Sequence, residues 1–415
     1  MTFIPNIDYT LKHDICTGCG ICIGACSFGA ISMIVKQGRF LPQVDVRKCR
    51  NSKGCHRCYD ACPGVGVDLV GLSNNNINKD DLIGSFHSCY VGNSTDQNLR
   101  YHAASGGMVS QLLIWLLENR MIDGALVSRF DKSNPLKVKS FIARSKEDIL
   151  LSKSSKYAPV SFHDAVKELR SAQKGKYVVV GLPCHIHGFR KLEKIDKNIS
   201  SKVVAHFALY CSASRTFNFT EYLMNERHID IDKIDFLAYR DNGCLGGIVV
   251  KGPGVDFYED YQSYSHPLRS IFIPRRCLLC IDHFGELGDL SFGDIHVGPY
   301  LSDKVGVNSI ISRNQEWDSL LNQAVEDGVI SLKVENVDRI KDSQPSAKMK
   351  KGRNARFIFL LNRIKMVTPV YDYKINKVTF LDIVKYAMNR LMQFIGRHRK
   401  IWFVIPLIKS KVVIK

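Results

Sequence analysis

Eight cysteines lie within the first 62 residues of this chain, and their spacing restricts what this segment can fold into. The first four follow the pattern C-x2-C-x2-C-x3-C, at Cys16, Cys19, Cys22 and Cys26. Three thiolates spaced two residues apart wrap a tight turn around three corners of one [4Fe–4S] cubane, while the fourth points to a neighbouring cluster. Gly18, Gly20 and Gly24 let the backbone approach closely and present N–H groups to the sulfurs. The spacing therefore predicts cysteine-ligated iron–sulfur clusters.

A second set repeats this pattern with a wider first gap, C-x5-C-x2-C-x3-C-P, at Cys49, Cys55, Cys58 and Cys62. Between the two sets, AISMIV, a KQGR turn and FLPQV predict a β-hairpin. The segment resembles a two-cluster bacterial ferredoxin. That resemblance implies that Cys62 joins the first three cysteines on one cluster, and that Cys26 joins the rest of the second set on the other. Paired zinc sites are the alternative, but these use C-x2-C pairs separated by long spacers.

Composition excludes several classes of protein. The opening residues, MTFIPNIDYTLKHD, lack the regions of a secretory signal, and no apolar run reaches the roughly 20 residues of a membrane span. We therefore expect a cytoplasmic protein, in which the 14 cysteines serve mainly metal binding or redox chemistry rather than disulfides, with Cys89 and Cys244 as core residues. The net charge of +18 would suit a nucleic-acid binder. No helix-turn-helix, RRM or zinc-finger pattern accompanies that charge, so no nucleic-acid partner is expected.

The remainder of the chain predicts a mixed α/β body. A polar stretch at residues 73–81 has the composition of a linker. An apolar helix is then predicted around Leu112 and Leu116, and it is followed by a short strand at 125–128. Further strands at residues 177–180, 203–209, 248–250 and 309–312 alternate with helical segments such as 315–326.

Much of the positive charge lies near the C-terminus, in residues 348–356 and 377–415. Solvated surface or a site for an acidic partner is the simplest interpretation of such charge. From residue 380 onward, one helical face carries Phe380, Val384, Ala387, Leu391 and Phe394. We expect this helix to close the core of the protein itself, because a lone apolar stripe usually means burial. Peripheral contact with a membrane and docking to a partner protein are the alternatives.

Five short motifs occur in the body in a fixed order. They are Ala-Ser-Gly-Gly at 104–107, Ser-Lys-Tyr at 155–157, GLPCHIHG at 181–188, Leu-Tyr-Cys at 209–211, and RCLLCID at 276–282 followed by Gly-Asp at 293–294. In that order the chain resembles the beta subunit of coenzyme F420 hydrogenases and dehydrogenases. Relatives in the same superfamily reduce chlorophyll intermediates, and others occur in cell-surface polysaccharide gene sets.

The resemblance implies an FAD-binding body, and it implies flavin contacts at Ser105, Gly106, Gly107, Lys156, Tyr157 and Asp294. A Ser-Gly-Gly turn at a helix N-terminus offers N–H groups and a positive dipole end to a pyrophosphate. Plain N-capping by Ser105 is the alternative. Lys156 and His185 are the candidate catalytic groups. The alternatives for these two are a solvated lysine and a satisfied core histidine.

A third [4Fe–4S] cluster is also implied, beside the flavin. Cys277 and Cys280 form a C-x2-C pair that needs two more thiolates. Cys184 and Cys211 are the best candidates, because each ends a predicted strand where loops gather. A zinc ion on these four cysteines, or buried thiols without a ligand, are the alternatives.

The predicted fold class is α+β: a ferredoxin-like domain at residues 1–72 is joined to a mixed α/β flavin-binding body. The body comprises beta-subunit-like N- and C-terminal parts at 85–165 and 174–340, and a basic extension with an amphipathic helix follows at 345–415. The predicted function is an iron–sulfur flavoprotein oxidoreductase that acts on a small organic substrate or a deazaflavin-type coenzyme. A redox partner protein or a reduced carrier would exchange electrons with it. The alternative is an electron-transfer subunit without its own substrate, serving a partner enzyme, for example in polysaccharide biosynthesis.

Overall fold

The computed structural model describes residues 4–73, 78–131, 133–268, 270–373, 375 and 377–412. The N-terminal module consists of short elements around the two cysteine sets: α1 (Asp8–Lys12), α2 (Ile21–Ala25), β1 (Ile31–Lys36), β2 (Arg39–Val44), α3 (Arg57–Asp60), β3 (Gly66–Val67) and α4 (Leu69–Leu72). The predicted hairpin is confirmed, with Ile31 opposite Val44. Its two-residue turn places Gln37 and Gly38 at positive φ, as a type I′ turn requires.

Part of the linker predicted at residues 73–81 forms a β-strand. Residues 74–77 lie outside the described residues, whereas residues 78–80 form a strand. That strand, β4 (Asn78–Asp80), pairs with β5 (Gly84–Phe86) in a small hairpin. The polar composition predicted a linker because these side chains alone carry no strand pattern.

The body is built on one large mixed sheet with helices packed against it. Its elements, with those of a smaller sheet, are β6 (Ser88–Ser94), α5 (Gln97–Tyr101), α6 (Met108–Glu118), β7 (Gly124–Asp131), β8 (Asn134–Ala143), α7 (Lys146–Ser152), α8 (His163–Ser171), β9 (Tyr177–Gly181), α9 (Pro183–Ile195), α10 (Lys197–Ser200), β10 (Val203–Leu209), α11 (Phe217–Glu226), β11 (Phe236–Asp241), β12 (Gly247–Gly252), β13 (Val255–Asp260), α12 (Tyr261–Ser265), β14 (Leu290–Asp294), β15 (Asn308–Ser312), α13 (Gln315–Glu326) and β16 (Ile330–Val334).

The strand order in the large sheet is β16-β6-β15-β14-β10-β9-β7-β8. Strands β7, β9, β10 and β14 are parallel, and antiparallel strands complete both edges. The predicted mixed α/β body is therefore confirmed. One predicted strand, at 248–250, belongs instead to the separate sheet β11-β12-β13. The carboxyl ends of β9, β10 and β14 lie side by side, and ligands bind at such an edge in α/β sheets.

The N-terminal module docks on the body through its helix α2. A Cβ added to Gly24 would lie 2.0 Å from Cγ1 of Val166 on α8, and one added to Gly188 on α9 would lie 2.8 Å from Cγ1 of Ile21. These glycines let α2 approach both body helices at a distance that no larger residue permits. The cysteine-rich module is therefore held tightly against the body.

The C-terminal region contains α14 (Val337–Asp342), α15 (Pro345–Met349), α16 (Ala355–Arg363), β17 (Val370–Tyr371), α17 (Phe380–Arg397) and α18 (Ile405–Val412). Strand β17 pairs in parallel with β3 of the N-terminal module. The interpretation of residues 348–356 as solvated charge is wrong in part, because Lys350 and Lys351 are only 1% and 7% exposed. Within the described residues, no helix combines the length and the apolar character needed to cross a bilayer.

The expectation that α17 buries its apolar side is also wrong. Its large apolar residues are between 45% and 79% exposed, and we call them the α17 apolar face: Phe380, Leu381, Ile383, Met388, Leu391 and Phe394. The side turned to the protein carries the polar Asp382 and Gln393 beside Ile395 and Gly396, all of them buried. Periodicity identifies an apolar face, but it does not say which way that face points.

We predict that Gly24→Ala destabilises the protein by about 1–3 kcal/mol, because the new methyl group overlaps Val166 in a closely packed interface. The measurement is the urea unfolding midpoint of the anaerobically purified protein. Gly352→Ala is the matched control, since its nearest neighbouring atom would lie 3.6 Å away. An unchanged midpoint for Gly24→Ala would contradict the close approach of α2.

Candidate functional site

The structure brings Cys62 to the first three cysteines. Burial raises the pKa of Cys16 to about 12 and that of Cys19 to about 11, and the neighbouring Cys62 thiol adds to both shifts. Burial also raises the pKa of Cys22, with Cys19, Cys16 and Cys62 contributing. The four thiols are each less than 9% exposed. This is the grouping that the ferredoxin resemblance implies for one cluster.

The other grouping gathers around Cys58. Burial raises the pKa of Cys58 to about 12, and Cys26, Cys49 and Cys55 raise it further. Cys26, the last cysteine of the first set, therefore lies with the second set. Such an exchange of the fourth ligand is the pattern of two-cluster ferredoxins.

Four cysteines from distant parts of the body form a third group. Cys184 begins α9 directly after β9, Cys211 follows β10, and Cys277 and Cys280 lie in and just after a short 3-10 helix at Arg275–Leu279. Burial raises the pKa of Cys184, with contributions from Cys211, Cys19, Cys280 and Cys277 in that order. One cavity is lined by all four and also by Cys16. The third group is therefore adjacent to the first.

The surroundings of the sulfurs suit cluster ligation. Backbone N–H groups of Gly18, Gly64 and Ala30 point at the Sγ atoms of Cys16, Cys62 and Cys26, at 3.4, 3.3 and 3.3 Å. Such bonds tune the potential of iron–sulfur clusters. Buried thiols with raised pKa values stay protonated until a metal displaces the proton, so cluster assembly would release protons here.

Within the described residues, no three His, Cys, Asp or Glu side chains converge closely enough to hold one metal ion. A [4Fe–4S] cubane binds its four thiolates at four separate irons, so its ligands need not converge on a single point.

Lys350 lies at the third cysteine group, and the sequence analysis did not single it out. Its ammonium lies 3.4 Å from the Sγ atom of Cys280 and donates to the carbonyl of Asp282 at 2.7 Å. Burial alone would lower the pKa of Lys350, but its interaction with Cys280 and Cys211 in their thiolate form raises the pKa overall. The sequence offered one signal for this residue. It belongs to the Lys- and Arg-rich segment 348–356, and the predicted clusters and flavin carry negative charge.

Lys350 reaches this position because it begins a π-helix at Lys350–Asn354. Insertions of this kind occur often at functional sites. The amide of Asn354 donates to the carbonyls of Cys277 and Cys280, at 3.1 and 3.0 Å. The π-helix thus fixes both the backbone and the charge environment of the C-x2-C pair.

Arg240 is the second residue that the sequence analysis did not single out. It contacts two of the residues that were predicted to bind flavin. It is 3% exposed. It donates to Oδ2 of Asp294 at 3.1 Å, to the carbonyl of Ala104 at 2.5 Å and to the hydroxyl of Tyr157 at 3.4 Å. The ring of Tyr261 lies 4.7 Å from its guanidinium carbon. Tyr157, Asp294 and the loop before Gly106 therefore meet at one cation.

The Ser-Gly-Gly turn is shaped by close backbone approach. Ser105 donates its hydroxyl to the carbonyl of Val307 at 2.8 Å, so the alternative of N-capping by Ser105 is wrong. Gly107 is the N-cap of α6, at a φ of 75°. A Cβ on Gly106 would lie 2.8 Å from the carbonyl oxygen of Gly92. The turn therefore requires both glycines for its conformation.

The side chains of the two candidate catalytic residues, Lys156 and His185, are held by hydrogen bonds to backbone groups. The Lys156 ammonium donates to the carbonyls of Ser152, Lys153 and Ser154 at the end of α7, and burial lowers its pKa to about 7. His185 lines the cavity of the third group. Its Nδ1 accepts from the N–H of Leu182 at 3.1 Å, and burial lowers its pKa to about 4. His185 is therefore neutral near pH 7 and held by local contacts.

Family comparisons match both the module and the body. The models for the coenzyme F420 hydrogenase/dehydrogenase beta subunit match residues 89–167 with the N-terminal part and 174–337 with the C-terminal part. The chain belongs to this beta subunit family. A 4Fe-4S binding domain matches residues 9–32, which hold the first cysteine set.

Two relatives of this chain are 24–25% identical to it over the aligned residues. It is 25% identical over 351 residues to the coenzyme F420-dependent sulfite reductase of Methanocaldococcus jannaschii, covering 81% of this chain and 50% of that protein. The chain thus spans half the length of that relative. It is 24% identical over 299 residues to the coenzyme F420 hydrogenase subunit beta of Methanococcus voltae, covering 69% of this chain and 99% of that subunit.

A solved structure shares the fold of this family member. A chain of the F420-reducing [NiFe] hydrogenase complex from Methanosarcina barkeri matches it with a TM-score of 0.54 at 20% identity, covering 69% of this chain and 97% of that chain. Likeness at this identity shows the fold alone.

We predict that Arg240→Met lowers the free energy of unfolding by about 2–3 kcal/mol, because it leaves a half-buried carboxylate and a backbone carbonyl without their charged donor. Urea unfolding measures the change. Arg144→Met is the control: its ion pair with Glu168 is 47% and 41% exposed, and such pairs contribute less than about 1 kcal/mol. Equal effects of the two substitutions would show that Arg240 does not organise this region.

Proposed function

We propose that this chain is an iron–sulfur flavoprotein oxidoreductase that passes electrons between [4Fe–4S] clusters and FAD, reducing or oxidising an organic substrate or a deazaflavin-type coenzyme. The observation that carries the proposal is the cavity shared by Cys16 and the four cysteines of the third group. Clusters at these positions would be neighbours, so the N-terminal module would be connected electrically to the body.

Buried side chains around Arg215 connect the third cysteine group with the region of Arg240. Arg215 lines the same cavity and is 8% exposed. Burial lowers the pKa of Arg215, opposed by Tyr261, Tyr157, Tyr264 and Cys277, all near enough to act on it. Arg215 therefore lies near both a predicted cluster ligand and the tyrosines packed around Arg240. This continuity supports a flavin close to the third cluster.

The residues around Arg240 fit a flavin nucleotide. The turn at 104–107 and the N-terminus of α6 offer backbone N–H groups to a pyrophosphate. Arg240 would supply positive charge in place of Lys156, whose ammonium is bound by its own helix end. The buried Nδ1 of His296, two residues beyond Asp294, has no hydrogen-bond partner among the described residues. Bound FAD would accept electrons singly from clusters and exchange them as hydride with an organic molecule.

A second candidate function is an electron-transfer subunit without its own substrate. Several relatives are named as subunits, including the coenzyme F420 hydrogenase subunit beta of Methanococcus voltae. Turnover by the isolated chain separates the two functions. Reduction of an organic or deazaflavin acceptor by the isolated chain favours the enzyme, whereas flavin reduction without any acceptor turnover favours the subunit.

The proposed third cluster predicts how many iron atoms each chain binds. Three clusters correspond to about 12 irons per chain, and Cys280→Ser should lower this to about 8 by removing one ligand of the third group. Iron and acid-labile sulfide are measured after anaerobic reconstitution. Cys89→Ser is the control, since Cys89 is a buried residue of an apolar cluster and belongs to none of the three groups. An unchanged iron content in Cys280→Ser would exclude the third cluster.

The flavin is tested on the same preparations. We expect the reconstituted chain to bind FAD and a reductant to bleach that flavin, with slower bleaching in Cys280→Ser because its third cluster is missing. Rapid mixing with an artificial one-electron donor measures the rates. A chain that fails to retain FAD after reconstitution would refute the flavoprotein proposal and leave the cluster proposal standing.

A further inference from the structure

We propose that the α17 apolar face binds the surface of an anionic membrane, so that the protein is peripherally attached to a bilayer. The face is made of six large apolar side chains that are about half or more exposed, from 45% for Ile383 to 79% for Phe380. They lie on one side of an 18-residue helix. A helix of this length is about 27 Å long, which suits a helix lying in the interfacial plane of a membrane.

The orientation of α17 is fixed by contacts on the side turned to the protein. Asp382 accepts from Nε of Arg356 at 2.9 Å, and Arg397 donates to Asp14 at 2.9 Å. The carbonyl of Gly396 accepts from the amide of Asn218 at 2.9 Å. These contacts, together with the packing of Ile395, Met392 and Tyr386 on the body, hold the helix so that the α17 apolar face points outward.

The charge around this face is complementary to acidic lipid. Residues 377–408 contain six Lys and Arg and a single acidic residue, Asp382. Three of the six cations, Arg390, Arg397 and Arg399, are paired with Asp14 and Glu221. Asp382 is 2% exposed and neutralised by Arg356, so it presents no negative charge outward. Lys377, Lys385 and Lys400 are exposed on or near the helix. Apolar side chains flanked by cations are the combination that binds an anionic interface.

The same charge argues against a second copy of this chain as the occupant. Two copies meeting through α17 would bring two strongly basic segments together, and like charges across an interface are unfavourable. A bilayer containing acidic lipid meets both requirements at once. Beyond the helix, Phe403 and Leu407 are 74% and 68% exposed and extend the apolar surface.

Co-sedimentation of the full-length protein with vesicles tests the proposal. We expect binding to vesicles of equimolar phosphatidylglycerol and phosphatidylcholine, and little binding to phosphatidylcholine alone. The variant Leu391→Ser/Phe394→Ser should reduce the partition coefficient at least tenfold, because each side chain transfers its apolar surface from water. Phe236→Ser/Leu301→Ser is the matched control. It replaces the same residue types at similar exposures of 45% and 49%, and it should bind as the unmodified protein does.

A second variant tests the contribution of the lysine charges to membrane binding. Lys385→Gln/Lys400→Gln should weaken binding about 25-fold, since each cation near an acidic surface contributes about fivefold. Lys197→Gln/Lys333→Gln, at exposed positions elsewhere, is the control and should have no such effect. Circular dichroism confirms that each variant is folded. The measurement needs no cofactor, so its outcome is independent of the proposed redox function.

Three results would overturn the proposal. The first is equal partitioning of the protein onto acidic and neutral vesicles at low salt. The second is binding of the Leu391→Ser/Phe394→Ser variant at the level of the unmodified protein. The third is a concentration-dependent dimer, seen by light scattering, that this variant abolishes while the unmodified protein does not bind vesicles. That result would assign the face to a second copy of the chain.

Discussion

Buried cations around thiols and backbone carbonyls hold the N-terminal module and the body together. Arg276 is 3% exposed and donates to the carbonyl of Pro63, next to Cys62, and to the hydroxyl of Tyr371, at 2.9 and 2.8 Å. Lys191 donates to the carbonyl of Cys62 at 2.7 Å. With Lys350 beside Cys280, these cations compensate the negative charge that buried thiolates and clusters would carry. Part of the chain's basic excess therefore belongs to its interior.

Helix α9 is the element that relates the cysteine groups to one another. Cys184 at its start belongs to the third group, Gly188 one turn later meets α2, and Lys191 reaches the loop of Cys62. Positions 184, 188 and 191 share one helical face. A single rigid helix therefore sets the separation between the first and third groups, so electron transfer between clusters at these groups would not depend on a flexible linker.

The sequence predicted what local spacing determines and missed what distant packing determines. The first cysteine set wraps one short segment, so its pattern and the hairpin after Cys26 could be recognised directly. Lys350 and Arg240 come from segments far from the residues they contact, and neither has a pattern of its own. The apolar stripe of α17 was visible, but its direction depends on polar contacts such as Asp382 with Arg356, which periodicity does not encode.

The outward-facing helix is tied to the first cysteine set by a chain of charged groups. Asp14 accepts from Arg397 of α17 and from Arg39 of the hairpin, at 2.9 and 3.0 Å. Burial would raise the pKa of Asp14, but the two arginines lower it overall, so its carboxylate stays charged and bridges them. An open groove lined by Asp14, Arg39, Arg397 and Cys16 runs along this contact. A membrane that engages α17 would therefore lie beside the first cysteine group, whose cluster would stand between the other two in the proposed electron path.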